Sequence, residues 1–289
     1  MLYPSDSWQK PLLAHSRQTE FWAQVSRAEH GRAFARAVHA AGRREPVHAV
    51  DKHSMARLAK PGNVYHPGPG IGEHAWQRAA FGHAAWSLCG ITHTTSSARA
   101  MDAVAELLTA PVQPWDAVIC TSSAVKDNVS RVLQAQSDYL AQRLGASQFV
   151  QPMLPVIPLG IHTRDFEFSP VQRQQARAHV QVQDNDLVVL YTGRLSFHAK
   201  AHPLAMYQAL QKAAQLVKAS GKKVKLVECG WHANEFIQKA YQDAARQACS
   251  DVEVITLDGR KAEDRETAWA GADVFCSLSD NIQETFGIV

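Results

Sequence analysis

Short apolar runs alternate with longer helical stretches along this chain, and that alternation limits its fold more than any other feature. In the first part of the chain, the apolar runs that predict strands are 11–14, 47–50, 63–66, 87–92, 117–121 and 154–159. The longer stretches between them that predict helices are 19–41, 73–80, 97–108 and 124–144. Strict alternation of strand and helix is typical of parallel sheets covered by helices on both faces. We therefore predict an α/β protein.

The same alternation begins again after residue 186. The later apolar runs predict strands at 187–192, 224–229, 252–257 and 274–278, and helices are predicted at 204–220, 234–248 and 265–270. The segment 162–186 is polar, contains Pro170 and ends in the turn-forming sequence Asp-Asn-Asp, so it is predicted to be a linker. We expect two doubly wound, Rossmann-like domains, 1–180 and 181–289, with a cleft between them. Ligands of such sheets bind at the carboxyl ends of the strands.

Length and composition exclude several classes of protein. A chain of 289 residues is longer than one core usually holds, and 46% hydrophobic with 20% charged residues is typical of a globular protein. A net charge of +3 without a clustered basic patch does not predict nucleic-acid binding. The five cysteines include no C-x-x-C pair, so neither a zinc site nor a disulfide framework is expected.

Hydropathy and the first residues of the chain indicate the cellular location of the protein. No apolar stretch approaches the roughly 18 residues of a membrane span. The start of the chain lacks the basic and apolar regions of a secretory signal. We therefore expect a cytoplasmic protein without a transmembrane segment, and leave open peripheral association with a membrane.

Two cations follow the first strand of the second half. The strand runs into Gly193 and Arg194, and Lys200 lies on the loop beyond. A planar guanidinium can bind phosphate oxygens through two hydrogen bonds, and an ammonium adds a compact charge. Together they can neutralise a diphosphate leaving group. On local sequence alone, a solvated loop with two surface cations explains these residues equally well.

The stretch 272–287 is a buried strand that runs into a polar loop and another apolar segment. The carboxylate of Glu284 can accept hydrogen bonds from sugar hydroxyls there. The N–H groups of Thr285, Phe286 and Gly287 would open a helix, whose amino end attracts phosphate. The alternative is an ordinary strand-to-helix turn in which Glu284 is a helix-start residue.

Histidines end two strands of the first half. His93 follows the run 87–92 in Gly-Ile-Thr-His-Thr-Thr, and His66 ends the run before it. An imidazole at the carboxyl end of a strand can donate a hydrogen bond into the expected cleft. Because the chain holds 14 histidines, a single one is more often structural than functional, and His93 is preferred for its position alone.

In their order and spacing these segments resemble the retaining glycosyltransferases of family four, which have the two-domain fold called GT-B. The resemblance runs from about residue 63 to the end of the chain. It rests on Gly-Ile-Thr-His-Thr at 90–94, Val-Ile-Pro-Leu-Gly-Ile at 156–161, Gly-Arg-Leu at 193–195 with Lys200, and Gln-Glu-Thr-Phe-Gly-Ile-Val at 283–289. The last of these is the most specific.

The resemblance implies a role for each matching residue. Arg194 and Lys200 would clamp the donor diphosphate and support its departure, and His93 would reach the reaction centre. Glu284 would contact the transferred sugar as the first glutamate of the family's Glu–seven residues–Glu motif. Further contacts with the donor would come from Gly193, Thr285, Phe286, Gly287 and the loop 258–261, which contains Arg260.

The resemblance also implies a reaction. A hexose would pass from a nucleoside diphosphate sugar to a hydroxyl acceptor, either a carbohydrate or a lipid-linked molecule, with retention at the anomeric carbon. The departing phosphate would help to deprotonate the acceptor, so that no tightly bound cofactor, metal or enzymic base is expected. Two alternatives stay open: a GT-B-fold nucleotide-sugar epimerase, which needs no acceptor, and a non-catalytic two-lobed protein that binds a sugar or nucleotide.

The sequence departs from the family at two places. The loop taken to follow the first strand, 15–18, lacks the family's glycines. At the other end the chain stops at Val289, before the second glutamate of the motif. We therefore expect an incomplete second domain, from a truncated reading frame, with weak donor binding and slow turnover.

Overall fold

The computed structural model describes residues 13, 15–92, 97–161, 163–197 and 201–278. The chain folds into two compact units, Met1–Pro158 and Leu159–Val289. This division lies before the predicted boundary near residue 180. The reason is that Pro170–His179, part of the predicted linker, is a helix that packs against Ala262–Gly271 in the second unit.

The described part of the first unit contains five short strands in two parallel sheets. The first sheet pairs β1 (Phe21–Gln24) with β2 (Val47–Val50). The second has the order β3 (Asn63–Tyr65), β4 (Ser87–Ile91) and β5 (Ala117–Ile119). Strands β2 to β5 begin where the sequence predicts them. The predicted strand 154–159 is reduced to isolated bridges that residues 153 and 156 make beside β5.

The helices of the first unit alternate with its strands. They are α1 (Ala28–Ala40), α2 (Gly72–Ala79), α3 (Ala98–Ala105) and α4 (Ser123–Leu144), with short 3₁₀ turns at Met55–Ala59 and Glu106–Leu108. Helix α4 is capped at its amino end by Ser122, whose hydroxyl accepts a hydrogen bond from the Val125 N–H, and at its carboxyl end by Gly145, which adopts a left-handed conformation (φ 70°). Within the described ranges, no helix combines the length and the hydropathy needed to cross a membrane.

The amino-terminal prediction is wrong in two respects. The stretch 19–41 is a strand followed by a helix, because Phe21–Gln24 pairs along its whole length with β2. Leu13 is helical rather than extended, and it is buried with Phe21 and Val38. The loop 15–18 therefore precedes β1 instead of following a strand, and the glycine-rich loop expected after a first strand cannot be sought there.

A buried ion pair fixes the centre of the first unit. The Arg78 guanidinium donates to both carboxylate oxygens of Asp116 at 2.7 Å, and neither side chain is exposed. Asp116 also accepts hydrogen bonds from the N–H groups of Leu88 and Gln113, both at 2.8 Å. Arg78 donates in addition to the Trp86 carbonyl at 2.9 Å. The pair therefore holds the start of β4 against the turn before β5.

The second unit is built on one parallel sheet. Its described strands have the order β8 (Glu253–Asp258), β7 (Val224–His232), β6 (Leu187–Leu195) and β9 (Val274–Phe275). Each begins within two residues of its predicted position. The helices are α5 (Pro170–His179), α6 (Leu204–Val217), α7 (Glu235–Ala248) and α8 (Ala262–Gly271), and a 3₁₀ turn at Lys218–Ser220 extends α6.

Helix α5 corrects the interpretation of 162–186 as a linker. Pro170 stands at its first turn, where a missing N–H costs nothing. Ser169 and Gln172 form a reciprocal capping box: the Gln172 N–H donates to the Ser169 hydroxyl, and the Ser169 N–H donates to the Gln172 side chain at 2.9 Å. Two arginines of α5, Arg173 and Arg177, then bind Asp273, which anchors the start of β9 beside β6.

Candidate functional site

Three glycines at or near the carboxyl ends of neighbouring strands meet in the second unit. Gly193 of β6 is in register with Gly230 of β7, and the Gly230 carbonyl accepts a hydrogen bond from the Gly259 N–H at 3.1 Å, just beyond β8. We call Gly193, Gly230 and Gly259 the glycine row. It lies at the carboxyl edge of the sheet, where parallel α/β sheets bind their ligands.

Steric contacts explain why these positions are glycine. A Cβ atom on Gly230 would lie 2.0 Å from the Gly193 carbonyl oxygen, and one on Gly259 would lie 2.9 Å from the Gly230 Cα. Gly193 also has a φ of 140°, which disfavours any other residue. Gly230 and Gly259 are themselves buried, so the strands pack main chain against main chain here, and Gly193 is the partly exposed member of the row that a ligand can approach. Gly193 was predicted from the sequence, but Gly230 was missed, although it directly follows the predicted strand 224–229.

Arg194 lies on β6 beside the glycine row. Its side chain is exposed, and its partner in the neighbouring strand is Trp231, which is 37% exposed. With the other described residues the guanidinium makes no hydrogen bond or ion pair. This cation is therefore available to an anionic ligand at the edge of the sheet.

The loop after β8 is held by its own side chains. The Arg260 guanidinium donates twice to Asp258, at 2.9 Å each, and the Arg260 N–H donates to the same carboxylate at 3.0 Å. These hydrogen bonds from Arg260 lower the pKa of Asp258 to about 2. Arg265 donates to the Gly259 carbonyl at 2.8 Å. The N–H groups of Gly259, Arg260 and Lys261 all donate within the protein, and contact of this loop with a ligand stays a prediction.

Several predicted site residues lie outside the described residues. They are His93 in the first unit, and Lys200, Glu284, Thr285, Phe286 and Gly287 in the second. The structure therefore places Gly193, Arg194 and the loop with Arg260 at the same edge of one sheet, and the rest of the predicted site stays a prediction.

Two histidines of the first unit meet at the carboxyl end of a strand. His66, directly after β3, lies with its Nδ1 3.1 Å from Nε2 of His74 on α2. Burial lowers the pKa of His74. Both imidazoles line a cavity of about 660 Å³ that also reaches Gln24 of β1. His66 was a predicted candidate, whereas His74 was missed, since it lies eight residues away on a helix with no distinguishing motif.

The glycines at 68, 70 and 72 make a turn into α2. The Gly68 carbonyl accepts a hydrogen bond from the Ile91 N–H at 3.0 Å, and a Cβ on Gly90 would lie 2.6 Å from the same oxygen. The turn therefore packs main chain against main chain beside β4. Across the described ranges, no three His, Cys, Asp or Glu side chains are grouped so that they could hold a metal ion.

Comparisons with known proteins concern the fold. No protein-family model and no curated protein matches the sequence. Among solved structures, the chain is similar to HepE of Anabaena in complex with UDP, with a TM-score of 0.55 and 15% identity over 91% of this chain and 74% of that one. It is also similar to the N-terminal domain of trehalose-6-phosphate phosphatase of Candida albicans, with a TM-score of 0.52 and 13% identity over 96% and 74% of the two chains. With its parallel sheets, the protein thus has the α/β, GT-B-like fold that its sequence predicts.

Proposed function

We propose that this protein is a retaining glycosyltransferase of the family-four type, which moves a hexose from a nucleoside diphosphate sugar to a hydroxyl acceptor. The observation that carries the proposal is the carboxyl edge of β6, β7 and β8. There the partly exposed Gly193 carries no side chain, and beside it the exposed Arg194 has no ion-pair partner among the described residues. A diphosphate is a ligand that suits both features, since it binds guanidinium groups and approaches closely packed main chain.

The chemistry of the proposed reaction depends on the leaving group. Breaking the glycosyl bond moves negative charge onto the diphosphate, and fixed cations at that position stabilise the transition state more than the ground state. Arg194 supplies one such charge, and Lys200 is the proposed second. Glu284 is proposed to bind the transferred sugar, and His93 to reach it from the first unit, which would carry the acceptor side.

The likeness to HepE, which was solved with UDP, makes uracil the first base to test. The main chain of the loop 258–261 is proposed to contact that base. The acceptor is proposed to be a carbohydrate or a lipid-linked hydroxyl compound.

Thermal unfolding with UDP, GDP and ADP, and with their glucose conjugates, tests the donor site. A ligand at a hundredfold excess over its Kd stabilises the folded state by about 2.7 kcal/mol. We expect one nucleotide to raise the unfolding temperature of the wild type. Arg194→Ala should lower the affinity for that nucleotide by at least about tenfold, because a charge-assisted contact is lost.

The matched control is Lys212→Ala, which removes an exposed cation from helix α6 in the same unit. It should respond to the nucleotide as the wild type does. The proposed diphosphate site is refuted if no nucleotide raises the unfolding temperature of the wild type. It is also refuted if the nucleotide raises that of Arg194→Ala by as much as it raises that of the wild type.

Product analysis separates the proposed reaction from its alternatives. The nucleotide-glucose that binds is incubated with a panel of hydroxyl acceptors, and the anomeric configuration of any product is read by NMR. Retention in an acceptor-dependent product supports the proposal. An epimerised sugar formed without acceptor would indicate an epimerase, and binding without any turnover would indicate a binding protein.

A further inference from the structure

A second cavity lies on the face of the sheet that helices α6 and α7 cover. Its volume is about 470 Å³, within the range of small-molecule sites. The floor is formed by Glu228 of β7 and by Val254 and Thr256 of β8, which point to the same face because Thr256 is the register partner of Glu228. Helix α7 contributes the wall with Tyr241 and Ala245.

Glu228 is an acid in an unusual position. Its side chain is on the middle of a central strand, and the residue is only 3% exposed. One carboxyl oxygen, Oε1, accepts a hydrogen bond from the Tyr207 hydroxyl at 2.6 Å. Within the described ranges the carboxyl group makes no other hydrogen bond or ion pair. A buried carboxylate with one neutral partner is costly, and a cation that enters the cavity would remove that cost.

Among the described residues that line the cavity, the other titratable groups give Glu228 no compensating charge. These groups are Tyr207, His232, Tyr241, Arg246 and Cys249. Burial raises the pKa of both tyrosines and raises that of the Cys249 thiol to about 11, so these three stay neutral near pH 7. Burial lowers the pKa of His232. Arg246 is paired with Asp243, and its side chain is 73% exposed.

We propose that this cavity binds a small primary amine with an apolar body, whose ammonium group donates to Glu228. The ammonium supplies the charge and the hydrogen bonds that the carboxylate lacks. The apolar body packs against Val254, Ala245 and the Tyr241 ring. Glu228 has no part in the proposed sugar transfer, so the amine site is independent of that function.

Benzylamine and its neutral counterpart, benzyl alcohol, test the site because they differ chiefly in charge. Binding is measured by calorimetry at about pH 8, where the carboxyl group is ionised. We expect benzylamine to bind the wild type at least about tenfold more tightly than benzyl alcohol does. Glu228→Gln should lower the affinity for benzylamine by at least about tenfold. Glu253→Gln, which changes a carboxyl group on β8 that is 59% exposed, should bind it as the wild type does.

The pH dependence supplies a second test that needs no variant. Burial raises the pKa of Glu228 to about 7. A ligand that requires the ionised form should therefore bind about tenfold more weakly near pH 6 than near pH 8.

Thr256→Trp is a further variant in case Glu228→Gln does not fold. Thr256 is exposed on the edge strand, so an indole there can fill the cavity without disturbing the core. This variant should lose benzylamine binding. The proposal is overturned if benzylamine does not bind the wild type, if it binds Glu228→Gln or Thr256→Trp unchanged, or if its affinity is equal near pH 6 and pH 8.

Discussion

Replacing Gly230 by alanine tests whether the glycine row depends on direct contact between main chains. The added Cβ would lie 2.0 Å from the Gly193 carbonyl oxygen, 3.2 Å from the Gly193 carbonyl carbon and 3.0 Å from the Leu195 Cγ. Both Gly193 atoms belong to main chain, so no side-chain rotation relieves the contact. Strands β6 and β7 must separate locally by about 1 Å or more to restore ordinary contact distances.

The cost follows from what that separation breaks. Inserting a methyl group into closely packed structure costs about 1–3 kcal/mol, and each ladder hydrogen bond lost between the strands adds about 1 kcal/mol. We therefore expect Gly230→Ala to lower the free energy of unfolding of the second unit by about 2–4 kcal/mol. Urea unfolding followed by far-UV circular dichroism measures this change.

The matched control is Gly271→Ala at the end of helix α8. A Cβ there would meet its nearest neighbour, Ala176, at an ordinary 3.7 Å, so the free energy of unfolding should change by less than about 0.5 kcal/mol. At temperatures where Gly230→Ala is folded, it should also bind the nucleotide more weakly, because Gly193 and Arg194 are displaced. If Gly230→Ala is as stable as Gly271→Ala, the inference that the close approach of β6 and β7 requires glycine at position 230 is wrong.

Three further predictions concern stability. Asp116→Ala should destabilise the first unit by about 3–5 kcal/mol in urea unfolding, because Arg78 would keep a buried charge without its partner; a loss below about 1 kcal/mol would contradict this. The second unit should lose stability as the pH rises from about 5 to about 8, because the pKa of Glu228 rises from 4.5 to about 7 on folding and the folded state holds a proton that the unfolded chain releases. Urea midpoints should fall across this range in the wild type, and an equal fall in Glu228→Gln would refute the assignment. Ser169→Ala should cost about 1 kcal/mol in thermal unfolding, because α5 loses its capping box, and an unchanged midpoint would show that the cap contributes nothing.

Local patterns in the sequence were sufficient for most strands and helices. Val47–Val50 and Glu235–Ala248 were predicted almost to the residue, since apolar periodicity and turn residues act over a few positions. The two largest errors, at β1 and α5, have tertiary causes. Phe21–Gln24 is extended because β2 lies beside it, and α5 is anchored by the contact of its arginines with Asp273. Neither partner can be identified from the segment itself.

The sequence by itself determined the α/β class, because the class follows from local alternation of apolar runs and turns. It placed Gly193 and Arg194 directly after a strand at 187–192, whereas β6 continues through both residues to Leu195 because β7 pairs with it there. Only the tertiary structure decided that Gly230 meets Gly193 and that Glu228 lies against Tyr207. These contacts join residues far apart in the chain. They depend on strand order and register, which are set by the packing of the whole unit, and no local pattern records them.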